Sequence, residues 1–366
     1  MGNSGKQILF AGGAAAFTVS AVASWWGARR LKTIHRRSTA AGPVQAPRDG
    51  TQRIAVVINP VKNHADAARE QIRHALQTAG WPEAMFLETT VDDPGHGQAR
   101  QALEEKYDAV LAAGGDGTVR AVAEVLAGSG VPLGLVPLGT GNLLARNLDM
   151  DVADLRGSIG TALFGGERRI DTAAAELESS VDGTVSRHVF LVMAGIGMDA
   201  EVLVDTRDDL KKSIGWLAYT AAGLRHLGGR RKSVTISLDG SNPQKRKIRS
   251  ILFANCGLVP GGIDFLPDAM VDDGLLDAVV ISPRSLVGWL IMYLKVVFKH
   301  SGVLPIMRAY PVKRMTVWSP EPMETQLDGD PSGPVTRVSV EVRPQSLSVR
   351  VQPSGLCRRV GPRAEE

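Results

Sequence analysis

The sequence predicts an α/β protein of two domains, a Rossmann-like three-layer domain followed by a β-rich sandwich domain, with one N-terminal membrane helix in front. Three observations lead to this prediction. Apolar, β-branched runs alternate with helical patterns between residues 53 and 139, short alternating segments dominate after residue 171, and residues 7 to 27 carry no charge. We place the boundaries at 1–50, 51–172, 173–352 and 353–366, the last being a flexible tail.

The N-terminal segment QILFAGGAAAFTVSAVASWWG, residues 7 to 27, is long enough as a helix to cross the roughly 30 Å hydrocarbon layer. A basic cluster, RRLKTIHRR at 29 to 37, follows it, and lysine and arginine near a span stay on the cytoplasmic side. We therefore expect a single-pass protein of the cell membrane with its long C-terminal part in the cytoplasm. A cleaved signal peptide is disfavoured because the charge follows the apolar run, and a surface helix is the other alternative. Residues 38 to 50 have the composition of a linker.

Composition narrows the class of protein. The chain has 366 residues, enough for two hydrophobic cores, and a formal net charge of +4. Much of the positive excess lies in the basic cluster, which argues against a general nucleic-acid binder. Cys256 and Cys357 lie far apart and neither belongs to a CxxC pattern, so neither a structural zinc site nor a disulfide framework is expected.

Strands alternate with helices in the first domain, which is typical of βαβ units and a parallel sheet. In such a sheet ligands bind at the carboxyl ends of the strands, where Asn59, Thr90 and the turns 114–118 and 139–142 fall. The predicted strands are RIAVVINP at 53–60, MFLETT at 85–90, DAVLAA at 108–113 and PLGLVPLG at 132–139. The predicted helices run from Ala65 to Ala79, over GHGQARQALEEKY at 95–107 and over TVRAVAEVLAG at 118–128.

The second domain is predicted to be an antiparallel sandwich, interrupted by helical stretches near 206 to 228 and 285 to 300. The apolar stretch at 285 to 300 is either a core helix or a surface for acyl chains. The C-terminal strands are expected to be able to return to the first domain. The predicted strands are HVFLVMAGIG, KSVTISLDG, RSILFANCG, LLDAVVIS, RMTVWS and RVSVEVR.

The turn GGDGTV, residues 114 to 119, follows a predicted strand and opens a predicted helix. Its glycines let the backbone approach a ligand closely, and the free N–H groups of the helix favour an anion. Asp116 would repel that anion unless a metal ion or a ribose hydroxyl stood between them, which indicates a metal-bound nucleotide. A second turn, PLGTGN at 137 to 142, lies on the neighbouring strand. The alternative for each turn is a tight strand-to-helix connection without a ligand.

Four motifs in series resemble the diacylglycerol kinase catalytic domain family, which includes bacterial lipid kinases and sphingosine kinase relatives. They are GGDGTV, PLGTGN, PGGIDFLPDAMVDDGLLDAVV at 260–280 and LDGD at 327–330, and the likeness covers about residues 52 to 352. The resemblance implies an ATP-dependent lipid kinase whose substrates meet between an ATP-binding domain, 51–172, and a lipid-binding domain, 173–352. Diacylglycerol giving phosphatidic acid is the first expectation, and a sphingoid base or another lipid is the second. An NAD kinase-like enzyme and a non-catalytic nucleotide- or lipid-binding protein are further alternatives.

The resemblance also implies the site residues. Asp116 and Asp171 would belong to a Mg²⁺ network beside the nucleotide. A structural Mg²⁺ away from the reaction would use Met270, Asp273 and Leu275, and a turn without metal is the alternative there. The expected ATP contacts are Asn59, Pro60, Thr90, Gly114, Gly115, Asp116, Gly117, Thr118, Val119, Arg120 and Thr140.

LDGD matches the family's DGE motif, so Asp330 is expected to be the general base and Asp328 a supporting acid. Two departures from the family concern Leu143, where many bacterial members have aspartate, and the first loop, NPVKN. Lys62 in that loop either meets a phosphate or is a solvated lysine. The expected partners are ATP and a lipid in the membrane, without nucleic acid, and a homodimer is left open.

Overall fold

The computed structural model describes residues 43–46, 50–197, 231–259, 263–266, 268–283, 288 and 307–352. The predicted membrane segment, the basic cluster, the tail and the helical stretch near 206 to 228 lie outside the described residues. The same holds for the stretch at 285 to 300 except Gly288, which is helical.

The predicted localisation is corrected by the structure. In the part of the chain that the structure describes, no helix is long and apolar enough to cross a membrane. The longest helix there has 14 residues, which corresponds to about 21 Å against the roughly 30 Å of the hydrocarbon layer. Residues 7 to 27, on which the prediction rested, are not among the described ones. The absence of such a helix overturns the prediction of a single-pass protein of the cell membrane.

The first half of the chain forms a parallel sheet covered by helices on both faces. Four parallel strands lie side by side, in the order Leu133–Pro137, Ala109–Gly114, Ile54–Ile58 and Met85–Glu88. In chain order the elements are β1 (Val44–Gln45), β2 (Ile54–Ile58), α1 (Ala65–Thr78), β3 (Met85–Glu88), α2 (His96–Glu104), β4 (Ala109–Gly114), α3 (Asp116–Leu126), β5 (Leu133–Pro137), α4 (Leu143–Asn147) and α5 (Leu155–Phe164).

The strand β2 shows why this region has three layers. All five of its residues are buried, as expected for a parallel strand covered on both faces. Its alternate side chains pack in two different cores. Ile54, Val56 and Ile58 contact the cluster that contains α1 and α5, whereas Ala55 and Val57 contact the cluster that contains α2 and α3. The Rossmann-like three-layer prediction is confirmed for this half.

The second half is antiparallel and rich in β-structure. A hydrophobic core of its own lies among these strands and includes Phe190, Phe253 and Met315. In chain order the strands are β6 (Gly166–Ser179), β7 (Val185–Phe190), β8 (Met193–Gly197), β9 (Lys232–Leu238), β10 (Gln244–Ile248), β11 (Ser250–Ala254), β12 (Leu258–Val259), β13 (Ile263–Asp264), β14 (Leu276–Ile281), β15 (Met307–Val312), β16 (Arg314–Leu327) and β17 (Asp330–Val351).

One long strand joins the two halves. β17 pairs antiparallel with β16 and β6, and near its end Val349 lies opposite Leu133 of β5 in a parallel pairing. A single hydrogen-bonded sheet therefore runs through both halves. Within the segment expected to be a linker, Val44 and Gln45 pair with Arg168 and Glu167 of β6.

The segment predicted as one strand at 188 to 197 is two strands. β7 ends at Phe190 and β8 begins at Met193, and the amides of Leu191, Val192 and Met193 donate to the carboxylate of Asp328. The strand breaks here because these donors bind a side chain in place of a neighbouring strand.

Candidate functional site

The loops after β2, β4 and β5 meet at one edge of the parallel sheet. Asn59 N donates to Ala113 O at 2.9 Å, and Leu138 N donates to Gly114 O at 2.9 Å. The two glycine turns approach each other through their backbones, since a Cβ built on Gly139 would lie 2.7 Å from the Cα of Gly115. No side chain fits between the turns, so backbone groups line this part of the edge.

Asp116 is the first residue of α3 and holds the second glycine turn. Its carboxylate accepts hydrogen bonds from Leu143 N at 2.6 Å and from Asn142 N at 3.0 Å. A Cβ on Gly141 would lie 2.5 Å from the same carboxylate, so a side chain there would displace it. Burial raises the pKa of Asp116, the two amides oppose the shift, and the charge of Asp330 adds to it.

Leu143 stands where many bacterial members of the family have aspartate, and the structure shows how the chain accommodates this difference. Its side chain is buried in the core of the first half, and only its backbone N–H points to Asp116. The contact that Asp116 makes with this position therefore uses the main chain.

Asp330 lies over the first turn of α3, although it comes from the hairpin between β16 and β17. Its Oδ2 is 3.7 Å from the position of a Cβ on Gly117. Arg120, one helical turn after Asp116, donates from Nη2 to this oxygen at 2.8 Å and from Nη1 to the carbonyl of Leu327. The side chain of Asp330 is 57% exposed, which leaves it open to a substrate.

Asp328 is buried, and both oxygens of its carboxylate accept hydrogen bonds. Its carboxylate accepts from Leu191 N at 2.9 Å, Val192 N at 2.8 Å and Met193 N at 2.9 Å. Burial raises the pKa of Asp328, and the three amides act in the opposite direction. The hairpin that carries Asp330 is thus fastened to the loop between β7 and β8.

Asp171 lies beside the turn 271–275, and none of its contacts involves Asp116. Its carboxylate accepts from Gly274 N and from Gln345 N, each at 2.7 Å, and its own N–H donates to Val271 O. These contacts place Asp171 with the segment expected to hold the structural metal. Strand β6 carries the carboxylate of Asp171 to this turn, and its expected place in a Mg²⁺ network with Asp116 stays a prediction.

The turn 271–275 gathers several acids. Asp273 accepts from Leu275 N at 3.0 Å, and Asp272 forms an ion pair with Arg168 at 2.7 Å. Burial raises the pKa of Asp171, its two amide partners oppose this, and the charges of Asp273 and Asp272 raise it further. Over the described ranges, no group of three or more His, Cys, Asp and Glu side chains is arranged to hold a metal ion.

The remaining expected ATP contacts lie at or near the same edge. Thr90 fixes the loop after β3, since its hydroxyl accepts from Asp93 N at 3.0 Å. Asn59 accepts from Val61 N at 3.2 Å, Thr140 is exposed, and Thr118 is buried against Gly114. Lys62 reaches over the first glycine turn, with Nζ 3.9 Å from the position of a Cβ on Gly115.

Sequence reasoning missed two asparagines that shape the site. Asn142 has φ 49° and closes the second turn through Gly139, accepting at 3.1 Å and donating at 2.7 Å. Its place after the GTG sequence was a signal, because asparagine tolerates the left-handed region. Buried Asn255 donates to the carbonyls of Asp171 and Leu191 at 3.0 and 2.8 Å. No sequence pattern pointed to this second residue.

Comparisons with known proteins agree with this geometry. Residues 53–175 match the diacylglycerol kinase catalytic domain, and residues 192–351 match the YegS C-terminal NAD kinase beta sandwich-like domain. A Pseudomonas aeruginosa protein named "probable lipid kinase YegS-like" is 30% identical over 311 residues, which cover 82% of this chain and 95% of that protein. A Bacillus subtilis protein named diacylglycerol kinase is 29% identical over 240 residues, which cover 64% and 75%.

Solved structures show the same fold. The crystal structure of a diacylglycerol kinase from Bacillus anthracis superimposes with a TM-score of 0.65 at 21% identity, covering 84% of this chain and 99% of that one. The matching family model assigns the chain to a class of two-part kinases that use ATP as co-substrate. The chain belongs to the diacylglycerol kinase catalytic domain family and is a lipid kinase related to the YegS-like proteins. The predicted family is confirmed.

Proposed function

We propose that this lipid kinase transfers the γ-phosphoryl group of ATP to a hydroxyl of diacylglycerol and forms phosphatidic acid. The observation that supports it is the position of Asp330. This exposed carboxylate comes from the β-rich half and lies over the helix N-terminus that follows the first glycine turn. The name of the Bacillus subtilis relative favours diacylglycerol, whereas the YegS-like relatives are named only as lipid kinases.

The phosphates of ATP would bind at the two glycine turns. The first amides of α3 have no partner within the helix, and the helix dipole favours negative charge at this end. Gly115 and Gly139 carry no side chain that would keep a phosphate from the start of α3, and their backbones lie close together. The exposed Thr140 offers a further donor, and Asn59, Pro60, Thr90 and Val119 complete the expected contacts.

Asp330 would act as the general base. A carboxylate that accepts the proton of the lipid hydroxyl needs to be reachable, and the side chain of Asp330 is more than half exposed. Asp328, by contrast, is buried and bound by three amides. Its supporting role would be to fasten the hairpin that carries Asp330.

The residues present fit Mg²⁺ at two places. The carboxylate of Asp116 lies at the two glycine turns where the phosphates would bind, and a carboxylate with phosphate oxygens is a common donor set for Mg²⁺. When bound, the ion neutralises charge on the phosphates. Near the turn 271–275, Asp273 with the main-chain oxygens of Met270 and Leu275 offers hard oxygen ligands for a structural ion.

The test is a transfer assay with the purified full-length chain, γ-labelled ATP and mixed detergent micelles. Separate reactions contain diacylglycerol, a sphingoid base or a monoacylglycerol, each with and without Mg²⁺. We expect label in phosphatidic acid, loss of transfer in Asp330→Asn, and full transfer in Asp182→Asn, a control at an exposed turn. Label in a different lipid would replace diacylglycerol as the substrate, and no label in any lipid would refute the proposed reaction.

A further inference from the structure

We infer that Arg120 is a positioning residue for phosphoryl transfer, because its guanidinium holds the β16–β17 hairpin over α3 and orients Asp330. The inference rests on the proposed function, since it takes Asp330 as the base. The motif resemblance implies only an ATP contact for Arg120, and in this structure its side chain binds the hairpin that carries Asp330.

The geometry gives Arg120 two anchors on one hairpin. Nη2 donates to Asp330 Oδ2 at 2.8 Å, and Nη1 donates to the carbonyl of Leu327 on the other arm of the turn. A planar guanidinium presents its donors in a fixed fork, so two simultaneous bonds restrict the orientation of the hairpin tip. Among the described residues, Asp330 forms its ion pair with Arg120 alone.

The contact contributes little to the stability of the fold. The side chains of Arg120 and Asp330 are 22% and 57% exposed, and ion pairs with this exposure contribute little to the free energy of unfolding. The hairpin is already fastened by the three amides that bind Asp328. The main effect of Arg120 is therefore to fix the direction in which the Asp330 carboxylate points.

The position of Arg120 on α3 makes this direction relevant to catalysis. Asp116 begins the same helix at the glycine turn where the phosphates would bind, and Asp330 is 210 residues away from Arg120 in sequence. Arg120 thus connects the phosphate-binding helix directly to the base. Small misplacements of a catalytic group lower the rate strongly, on the order of a hundredfold for about 1 Å.

A double-mutant cycle tests the inference. We would measure kcat and KM for ATP with the full chain carrying Arg120→Gln, Asp330→Asn or both changes. Arg314→Gln is the matched control, because Arg314 pairs with Glu341 at 2.5 Å on the surface, outside the contacts described for the site. Thermal unfolding of each variant checks that the fold is kept.

If Arg120 acts through Asp330, Arg120→Gln lowers kcat about tenfold or more and leaves KM for ATP nearly unchanged. The double variant is then no slower than Asp330→Asn, and Arg314→Gln matches the wild type. Arg120→Lys, which keeps a cation, retains part of the activity and serves as the test variant if Arg120→Gln does not fold.

Three results would overturn the inference: wild-type kcat in Arg120→Gln, multiplying effects in the double variant, or a rise in KM for ATP without a fall in kcat. The last result would indicate a direct phosphate contact. Failure of the proposed function gives a different result, because Asp330→Asn would then keep wild-type turnover whatever Arg120→Gln does.

Discussion

Asp116 and Leu143 are joined by a hydrogen bond of 2.6 Å from the backbone N–H of Leu143 to the carboxylate of Asp116. The bond connects the two glycine turns, and a second bond from Asn142 N reinforces it. Asp116 is an acid in a turn suited to phosphate, and its carboxylate binds two backbone N–H groups of the protein itself. Asp116 holds the second turn against the first through these two bonds.

The variant Asp116→Asn should lose activity and some stability. A carboxamide has only one oxygen, so one of the two amides at 142–143 loses its acceptor, which typically costs about 1 to 3 kcal/mol. Loss of a charge beside the phosphates should also lower kcat about a hundredfold. We would measure kcat at saturating Mg²⁺ and ATP, and unfolding in urea. Wild-type turnover would show that Asp116 has no part in transfer.

The raised pKa of Asp171 predicts that the free energy of unfolding depends on pH. Burial raises its pKa above 3.8, the value of an ordinary aspartate, so in the window just above 3.8 the folded state keeps a proton that the unfolded state has released. The contribution of Asp171 to the free energy of unfolding therefore falls as the pH rises through this window. Asp171→Asn lacks this titration, so in urea unfolding between about pH 4 and pH 7 its free energy of unfolding, relative to that of the wild type, should increase as the pH rises. Parallel profiles for the two proteins would contradict the assignment.

Sequence patterns predicted the parallel sheet well, because buried strands such as β2 and β4 are continuous apolar runs between glycine and asparagine turns. The strands of the β-rich half were harder to predict from the sequence. Strand β10, QKRKI, is almost entirely exposed and has no apolar alternation, so nothing in its pattern indicated a strand. The loop edge was predictable from strand ends, whereas the pairing of Arg120 with Asp330 depends on long-range packing that no local pattern encodes.

Lys62 should bind phosphate. Its ammonium lies 3.9 Å from the position of a Cβ on Gly115, and among the described residues no carboxylate forms an ion pair with it. Lys62→Met should raise KM for ATP about tenfold, since an exposed charge contact with phosphate contributes roughly 1 kcal/mol or slightly more. The control is Lys245→Met on the exposed strand β10. An unchanged KM would identify Lys62 as a solvated lysine.

Gly139 should tolerate no side chain. In Gly139→Ala the new Cβ would lie 2.7 Å from the Cα of Gly115, so the two glycine turns must move apart. ATP binding, measured by calorimetry, should weaken by about tenfold or more, because the backbone donors lose their arrangement. Gly160→Ala is the matched control, since a Cβ at this position of α5 meets no atom within 4 Å. Equal affinities of the two variants would show that the close approach of the turns is irrelevant to ATP.

Substitutions of the two hairpin acids, Asp328 and Asp330, should affect stability and catalysis to different degrees. Asp328→Ala leaves three buried amides at 191–193 without their acceptor, which should lower the free energy of unfolding by about 3 kcal/mol or more. Asp330→Ala removes one exposed ion pair and should lower it by less than about 1 kcal/mol.

Activity should depend more on Asp330 than on Asp328, when it is measured at a temperature where the variants of both residues are folded. Asp330→Asn should lower kcat strongly with little change in KM for ATP, because the lost interaction forms in the transition state. Asp330→Glu should be tolerated, since a longer carboxylate still reaches both the hydroxyl and Arg120. Asp328→Asn should reduce kcat less. If Asp328→Asn instead proves the more damaging change by about tenfold in folded protein, the roles of the two acids must be exchanged.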